Sequence, residues 1–213
     1  MAADYALGFR TLDEEVSGVS LDVEGTVPTW LSGTLLRNGP GKFEAGGESF
    51  GHWFDGLAMV RAFRFDDGVA YTNRFLRTDT YRTAREEGAL DAAQFGTTPD
   101  AGLLRRLSNR IRPPEPTDNA CVNVVRTGDT HLALTETPRR VAFDPDTLET
   151  VGAFDWDDDL EGHLVTAHPH RDQERGELVN VLTRFGRRSE YRIVRAPDGA
   201  GSRELVATVE TDR

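Results

Sequence analysis

Residues 59–77 read MVRAFRFDDGVAYTNRFLR, and this stretch decides the fold. Phe63 and Phe65 alternate with Arg64, Asp66-Asp67-Gly68 supplies a polar turn, and Val69, Tyr71 and Phe75 resume beyond it. Successive side chains of a strand point to opposite faces, so a period of two broken by a turn predicts two antiparallel strands. The same grammar returns at 121–136, 140–156, 177–185 and 190–210. Hairpins in succession, without helices between them, predict an all-β protein. They suit the blades of a β-propeller better than a parallel sheet, with a β-sandwich as the other arrangement. No strong residue-level repeat accompanies the pattern.

Two stretches depart from it. Residues 83–96, TAREEGALDAAQFG, are rich in alanine and glutamate and predict a short helix or an ordered loop. In 103–114, LLRRLSNRIRPP, Leu103, Leu104, Leu107 and Ile111 share one helical face, flanked by Arg105, Arg106, Arg110 and Arg112. A basic amphipathic segment of this kind either packs its apolar face on the strands or meets a membrane surface.

Residues 33–56, GTLLRNGPGKFEAGGESFGHWFDG, are dense in glycine, but their spacing matches no phosphate-binding loop. They predict a structured crossing between strands, with His52, Trp53, Phe54 and Asp55 as buried packing and hydrogen-bonding groups.

Composition narrows the classes. The 213 residues suit one domain or part of a larger one. No apolar run is long enough to span a bilayer, and the start MAADYALGFRTLDEE lacks a charged-then-apolar signal pattern, so a soluble cytoplasmic protein is expected. Cys121 is the only cysteine, which rules out an internal disulfide and any CxxC-type zinc site. The net charge is −11, and Lys42 is the only lysine among 25 basic residues. Salt adaptation and arginine-rich coding in a GC-rich genome both fit that balance, and neither favours a nucleic-acid partner, which needs a basic face.

The run HLVTAHPHRD, residues 163–172, holds three of the five histidines. A lone histidine ahead of a proline at a strand start is more often structural than metal-binding.

Longer motifs carry a resemblance. The stretch LLRNGPGKFEAGGESFGHWFDGLAMVRAFRF (35–65) with NRFLRTDTY (73–81) resembles the amino-terminal signature of the carotenoid cleavage oxygenases. That family includes β-carotene oxygenases, stilbene-cleaving oxygenases and the retinal pigment epithelium isomerase. TDNACVNV (117–124), LALTET (132–137), DPDTLETVG (144–152) and TAHPHRD (166–172) resemble its further signatures, in order. The resemblance implies the amino-terminal part of a seven-bladed β-propeller with short helical insertions. It also implies iron(II), held by four histidines on the propeller axis, and oxidative cleavage of a conjugated double bond in a carotenoid or apocarotenoid by dioxygen.

Carried over residue by residue, the resemblance assigns the first iron ligand to His168. Glu136 becomes the acceptor of a hydrogen bond from a different iron-ligating histidine, and Thr135 a residue lining the substrate cavity. His170 is read as a neighbour of the site or a surface residue, and His163, His131 and His52 inherit no ligand role. A neutral imidazole suits iron(II) and leaves the metal its charge and an open position.

Family members run to more than twice this length, and their other three iron-ligating histidines fall beyond Arg213. Residues 1–213 are therefore expected to be the amino-terminal portion of one oxygenase domain, without its carboxy-terminal blades and inactive alone. Stilbene-type cleavage, a non-oxidative isomerase on the same fold, and a non-catalytic truncated propeller binding apolar ligands are the other readings. The expected partners are the apolar substrate and dioxygen, with peripheral membrane contact through Leu103, Leu104, Leu107 and Ile111.

Overall fold

The computed structural model describes residues 4–88 and 116–211. In chain order the first part contains β1 (Val19–Ser20), β2 (Gly33–Lys42), the two-residue strands β3 (Glu44–Ala45) and β4 (Glu48–Ser49), β5 (Leu57–Phe65) and β6 (Val69–Phe75). The hairpin that 59–77 predicts is β5–β6, with Phe63 opposite Tyr71 and Phe65 opposite Val69. Its turn works because Asp67 and Gly68 take φ of 40° and 131°, a left-handed backbone that this pair tolerates. Four of these six strands form one sheet in the order β1-β6-β5-β2, while β3 and β4 pair only with each other.

The helix α1 (Asp79–Glu86) follows. The Thr78 hydroxyl accepts from the Tyr81 N–H at 3.1 Å. The Asp118 carboxylate accepts from the N–H groups of Asp79 and Thr80 at 2.7 and 3.1 Å. These acceptors satisfy the otherwise unpaired first turn, so the helix starts four residues ahead of the expected 83–96. Composition located its carboxy-terminal half, around Ala84, and missed its cap. Residues 89–115, with the amphipathic face at Leu103, Leu104, Leu107 and Ile111, lie outside the described residues.

The second sheet is the meander β7 (Asn123–Thr127), β8 (Thr130–Leu134), β9 (Arg140–Phe143) and β10 (Thr150–Ala153). The third comprises β11 (Leu164–Val165), β12 (His170–Asp172), β13 (Glu177–Arg184), β14 (Ser189–Pro197) and β15 (Glu204–Thr211). Here β11 and β12 both pair with β13, and β14 and β15 continue outward. Three successive antiparallel sheets are an all-β fold, arranged as consecutive blades of a partial propeller.

Period two becomes packing in β5. Ala58, Val60 and Ala62 point one way, into a core with Ala133 of β8, Val141 and Phe143 of β9, and Leu148. Leu57 and Met59 point the other way, against Phe75 and Ala84. Leu132, Leu134 and Ala142 of the second sheet meet Ala167 of the third. The alanines let neighbouring sheets approach closely at the density of a protein interior.

Two expectations for 33–56 are corrected. Its first ten residues are a full strand, β2, paired along β5 from Gly33↔Phe65 to Lys42↔Leu57. Gly41 suits strand packing, since a Cβ there would stand 2.9 Å from the Met59 Cβ, and the register shifts between Pro40 and Lys42, where a proline is tolerated. The second correction concerns burial. Asp55 is fully buried, but Trp53 and Phe54 are 40% and 41% exposed, and His52 is exposed too. His52 caps the 3-10 turn Trp53–Asp55, its Nδ1 accepting from the Phe54 N–H at 3.2 Å.

Candidate functional site

One edge of the third sheet, formed by β11 and β12, is broken in one place. Val165 of β11 pairs with Leu182, and His170 of β12 pairs with Val179. Between those pairs lie four residues on one side, Thr166 to Pro169, against two on the other, Asn180 and Val181. The excess forms a bulge, which bends a strand and re-aims a side chain. Pro169 reinforces it, having no N–H to give a ladder. His168 stands in this bulge with its side chain 68% exposed.

Hydrogen bonds hold the bulge in shape. The Thr166 N–H donates to the Val181 carbonyl at 3.1 Å, and the Thr166 carbonyl accepts from Asn180 Nδ2 at 3.1 Å. The Ala167 carbonyl accepts from Asn123 Nδ2 at 2.9 Å, and the His168 N–H donates to Thr166 Oγ1 at 3.2 Å. Ala167 itself is fully buried among Leu132, Leu134 and Ala142. The imidazole therefore projects outward from a rigid base.

Glu136 reaches the same place from the second sheet. It lies two residues past β8, and its carbonyl accepts from the Val165 N–H at 3.2 Å, tying the segment after that strand to the last residue of β11. Its carboxylate Oε1 stands 3.7 Å from His168 Nε2, with the side chain 49% exposed. That separation is beyond a hydrogen bond, so Glu136 is an electrostatic neighbour of His168. Thr135, half-buried, comes just before it. The fold thus brings Thr135, Glu136 and His168 to one end of two adjacent sheets.

The remaining histidines have other surroundings. His170, exposed, is the first residue of β12. His163 accepts from the Phe185 N–H at 2.9 Å and stacks on the Phe185 ring. His131 packs against Phe143, and burial, with Arg126 nearby, pushes its pKa below the usual imidazole value. Among the described residues no group of three His, Cys, Asp or Glu side chains is placed to hold a metal ion. Cys121 is buried, which pushes its thiol up to about 12, so it supplies no thiolate. In donor chemistry an exposed imidazole such as that of His168 suits a borderline divalent cation as a single ligand.

Sequence reasoning passed over Asn123, Asn180 and Thr166. A signal was there: Val122-Asn123-Val124 at the start of β7 and Val179-Asn180-Val181 within β13 repeat the same tripeptide. Asparagine is disfavoured at strand positions, so its recurrence between valines marks a side chain needed for its hydrogen bonds.

The family model described as RPE65, retinal pigment epithelial membrane protein, matches residues 9–212. The chain is 37% identical over 206 residues to the β,β-carotene 15,15′-dioxygenase of Gallus gallus, covering 92% of this chain and 39% of that protein. It is 37% identical over 193 residues to the mitochondrial carotenoid-cleaving dioxygenase of Mustela putorius furo, covering 88% and 36% respectively. Among solved structures, a variant of Synechocystis apocarotenoid oxygenase aligns with a TM-score of 0.78 and 29% identity, over 98% of this chain and 44% of that one. A cobalt-substituted form of the same oxygenase aligns with a TM-score of 0.78 and 30% identity, with the same coverage. The chain spans well under half the length of these relatives.

Proposed function

Because the chain belongs to the family of the retinal pigment epithelial membrane protein and the carotenoid oxygenases, we propose that its 213 residues form the amino-terminal blades of an iron(II)-dependent enzyme. That enzyme cleaves a conjugated double bond of a carotenoid or apocarotenoid with dioxygen, giving two carbonyl products. The observation that carries this reading is the exposed His168 imidazole, held in a strand bulge by hydrogen bonds from buried or half-buried groups.

His168 contributes one neutral imidazole to the metal, and the other donors come from blades that these residues do not include. Bound iron(II) supplies the centre at which dioxygen is activated. The protein's own part is to hold and exclude. The bulge fixes where the imidazole stands, Thr135 lines the cavity that receives the polyene, and Glu136 accepts a hydrogen bond from another ligating imidazole and so sets its tautomer. The apolar walls of that cavity choose the bond by where they stop the substrate. Residues 103–112 supply a basic, leucine-rich segment suited to contact with a membrane surface, where substrates insoluble in water reside.

The test is His168→Ala in the full-length protein. Iron content and cleavage of a carotenoid into aldehydes are both expected to be lost, whereas His170→Ala retains most of each. Full iron stoichiometry in His168→Ala ends the ligand assignment, and aldehydes from a stilbene but not from any carotenoid reassign the substrate.

A further inference from the structure

Three asparagines share one device. In Asn38 of β2, Asn123 of β7 and Asn180 of β13, the side-chain Oδ1 accepts from the next residue's N–H, at 2.9, 2.8 and 2.7 Å. That bond orients each carboxamide so that its Nδ2 faces away and reaches a second segment. Asn38 Nδ2 donates to the carbonyls of Ala120 and Asn123 at 2.6 and 3.1 Å, joining the first sheet to the second. Asn123 Nδ2 donates to the Ala167 carbonyl at 2.9 Å, joining the second to the third. The relay therefore crosses all three sheets and ends on the carbonyl that precedes His168.

We infer that Asn123 is a positioning residue for His168: its carboxamide, with Thr166 Oγ1, fixes the peptide plane from which the imidazole projects. This inference rests on the metal-ligand reading of His168. The geometry is specific. The Ala167 carbonyl and the His168 N–H belong to one planar peptide unit, so holding both ends at 2.9 and 3.2 Å removes its freedom to tilt. On the far side Pro169 restricts the backbone of the residue before it. With the chain held on both sides, only the side-chain rotations of His168 remain to be set by the metal. A ligand so pre-organised loses little freedom on binding, which favours affinity.

The decisive comparison, in the full-length protein, is Asn123→Asp against Asn38→Asp. Each keeps the size of the side chain and the Oδ1 acceptor, and each turns the inter-sheet donor into an acceptor facing a carbonyl. Two quantities are read: metal-free hydrogen exchange of the segment 164–170, and cobalt(II) affinity by titration of its visible absorption. Asn123→Asp is expected to speed exchange in that segment about tenfold or more and to weaken cobalt roughly 10–100-fold. Asn38→Asp, which removes the bonds to the Ala120 and Asn123 carbonyls but leaves the Asn123 carboxamide and the bulge intact, is expected to leave both within about twofold while lowering Tm. Unchanged exchange and affinity in Asn123→Asp overturn the inference, as do equal losses in both variants, the signature of general loosening. Should Asn123→Asp not fold, Thr166→Val removes only the acceptor of the His168 N–H, and parent-like exchange and affinity in that variant overturn it instead. A parent that takes up no cobalt, with exchange still released by Asn123→Asp, upholds the positioning role and removes the metal reading.

Discussion

Glu136 Oε1 and His168 Nε2 face each other at 3.7 Å from the ends of two neighbouring sheets. The distance is too long for a hydrogen bond to that imidazole, so the carboxylate keeps an acceptor position for its proposed service to a second ligating histidine. Glu136→Gln, tested in the full-length protein, is expected to lower iron affinity or turnover roughly 10–100-fold. Tm is expected to stay close to the parent's, because the side chain is half exposed. Metal titration beside a thermal melt checks both, and parent-like affinity and rate would return Glu136 to a surface role.

Asp158 and Arg203 make a tight pair between the loop before β11 and the start of β15. The Arg203 Nε and Nη2 donate to the two carboxylate oxygens at 3.0 and 2.7 Å, and its backbone N–H adds a third bond at 2.7 Å. The two side chains are 10% and 9% exposed. Burial pushes the Asp158 carboxyl up, but the Arg203 side chain and the Arg203 and Leu160 N–H groups outweigh it and hold the pKa at about 2, below the ordinary 3.8. A depressed carboxyl stabilises the fold above its unfolded pKa and loses that contribution as pH falls, here from about 4 down to about 2. Tm measured against pH should fall in that window for the parent. In Asp158→Asn the curve should be flatter there, and Tm at neutral pH should be lower, reflecting a stability loss of roughly 3–5 kcal/mol, because Arg203 is left buried without its carboxylate partner. Parallel curves for the two proteins would contradict the pairing.

Asn119 is the buried hub of the TDNACVNV motif. Its Oδ1 accepts from the Ala58 N–H at 2.9 Å, and its Nδ2 donates to the Gly56 carbonyl at 2.9 Å. Asn119→Ala strands these backbone groups where water does not reach, at a cost of roughly 2–4 kcal/mol. The urea midpoint of unfolding is the measurement, and a midpoint equal to the parent's would rule out the hub role.

The segment 103–112 provides a membrane test. Salt screens arginine–headgroup attraction to roughly 3 Å at 1 M, so apolar insertion must carry any attachment that survives there. Leu104→Ser with Leu107→Ser is expected to abolish co-sedimentation with anionic liposomes at high salt. Reversing Arg105 and Arg106 to glutamate should matter only at low salt. Equal sedimentation of the double-serine variant and the parent would mean that the leucine face packs on the protein.

Most of the strands outside 33–56 were legible in the sequence. Alternation about Asp66-Asp67-Gly68, and again in the later hairpins, needs only neighbours along the chain, because a strand buries one face wherever its partner comes from. The histidine-proline pair and the acidic LTET segment were equally legible, since motif order survives without coordinates. Tertiary structure alone decided what Asn123 and Asn180 do. Their partners, the carbonyls of Ala167 and Thr166, lie 44 and 14 residues away, and a side-chain amide carries no mark of the distant group it will meet. The same holds for β2, whose glycines and proline read as a crossing until Met59 and Phe75 crowd Gly41 from the neighbouring strands. Burial at 52–55 followed neither hydropathy nor position: Trp53 and Phe54 stay exposed while Asp55 goes inside. Which side of a short turn faces the core is set by how the surrounding strands pack, and no local pattern contains that information.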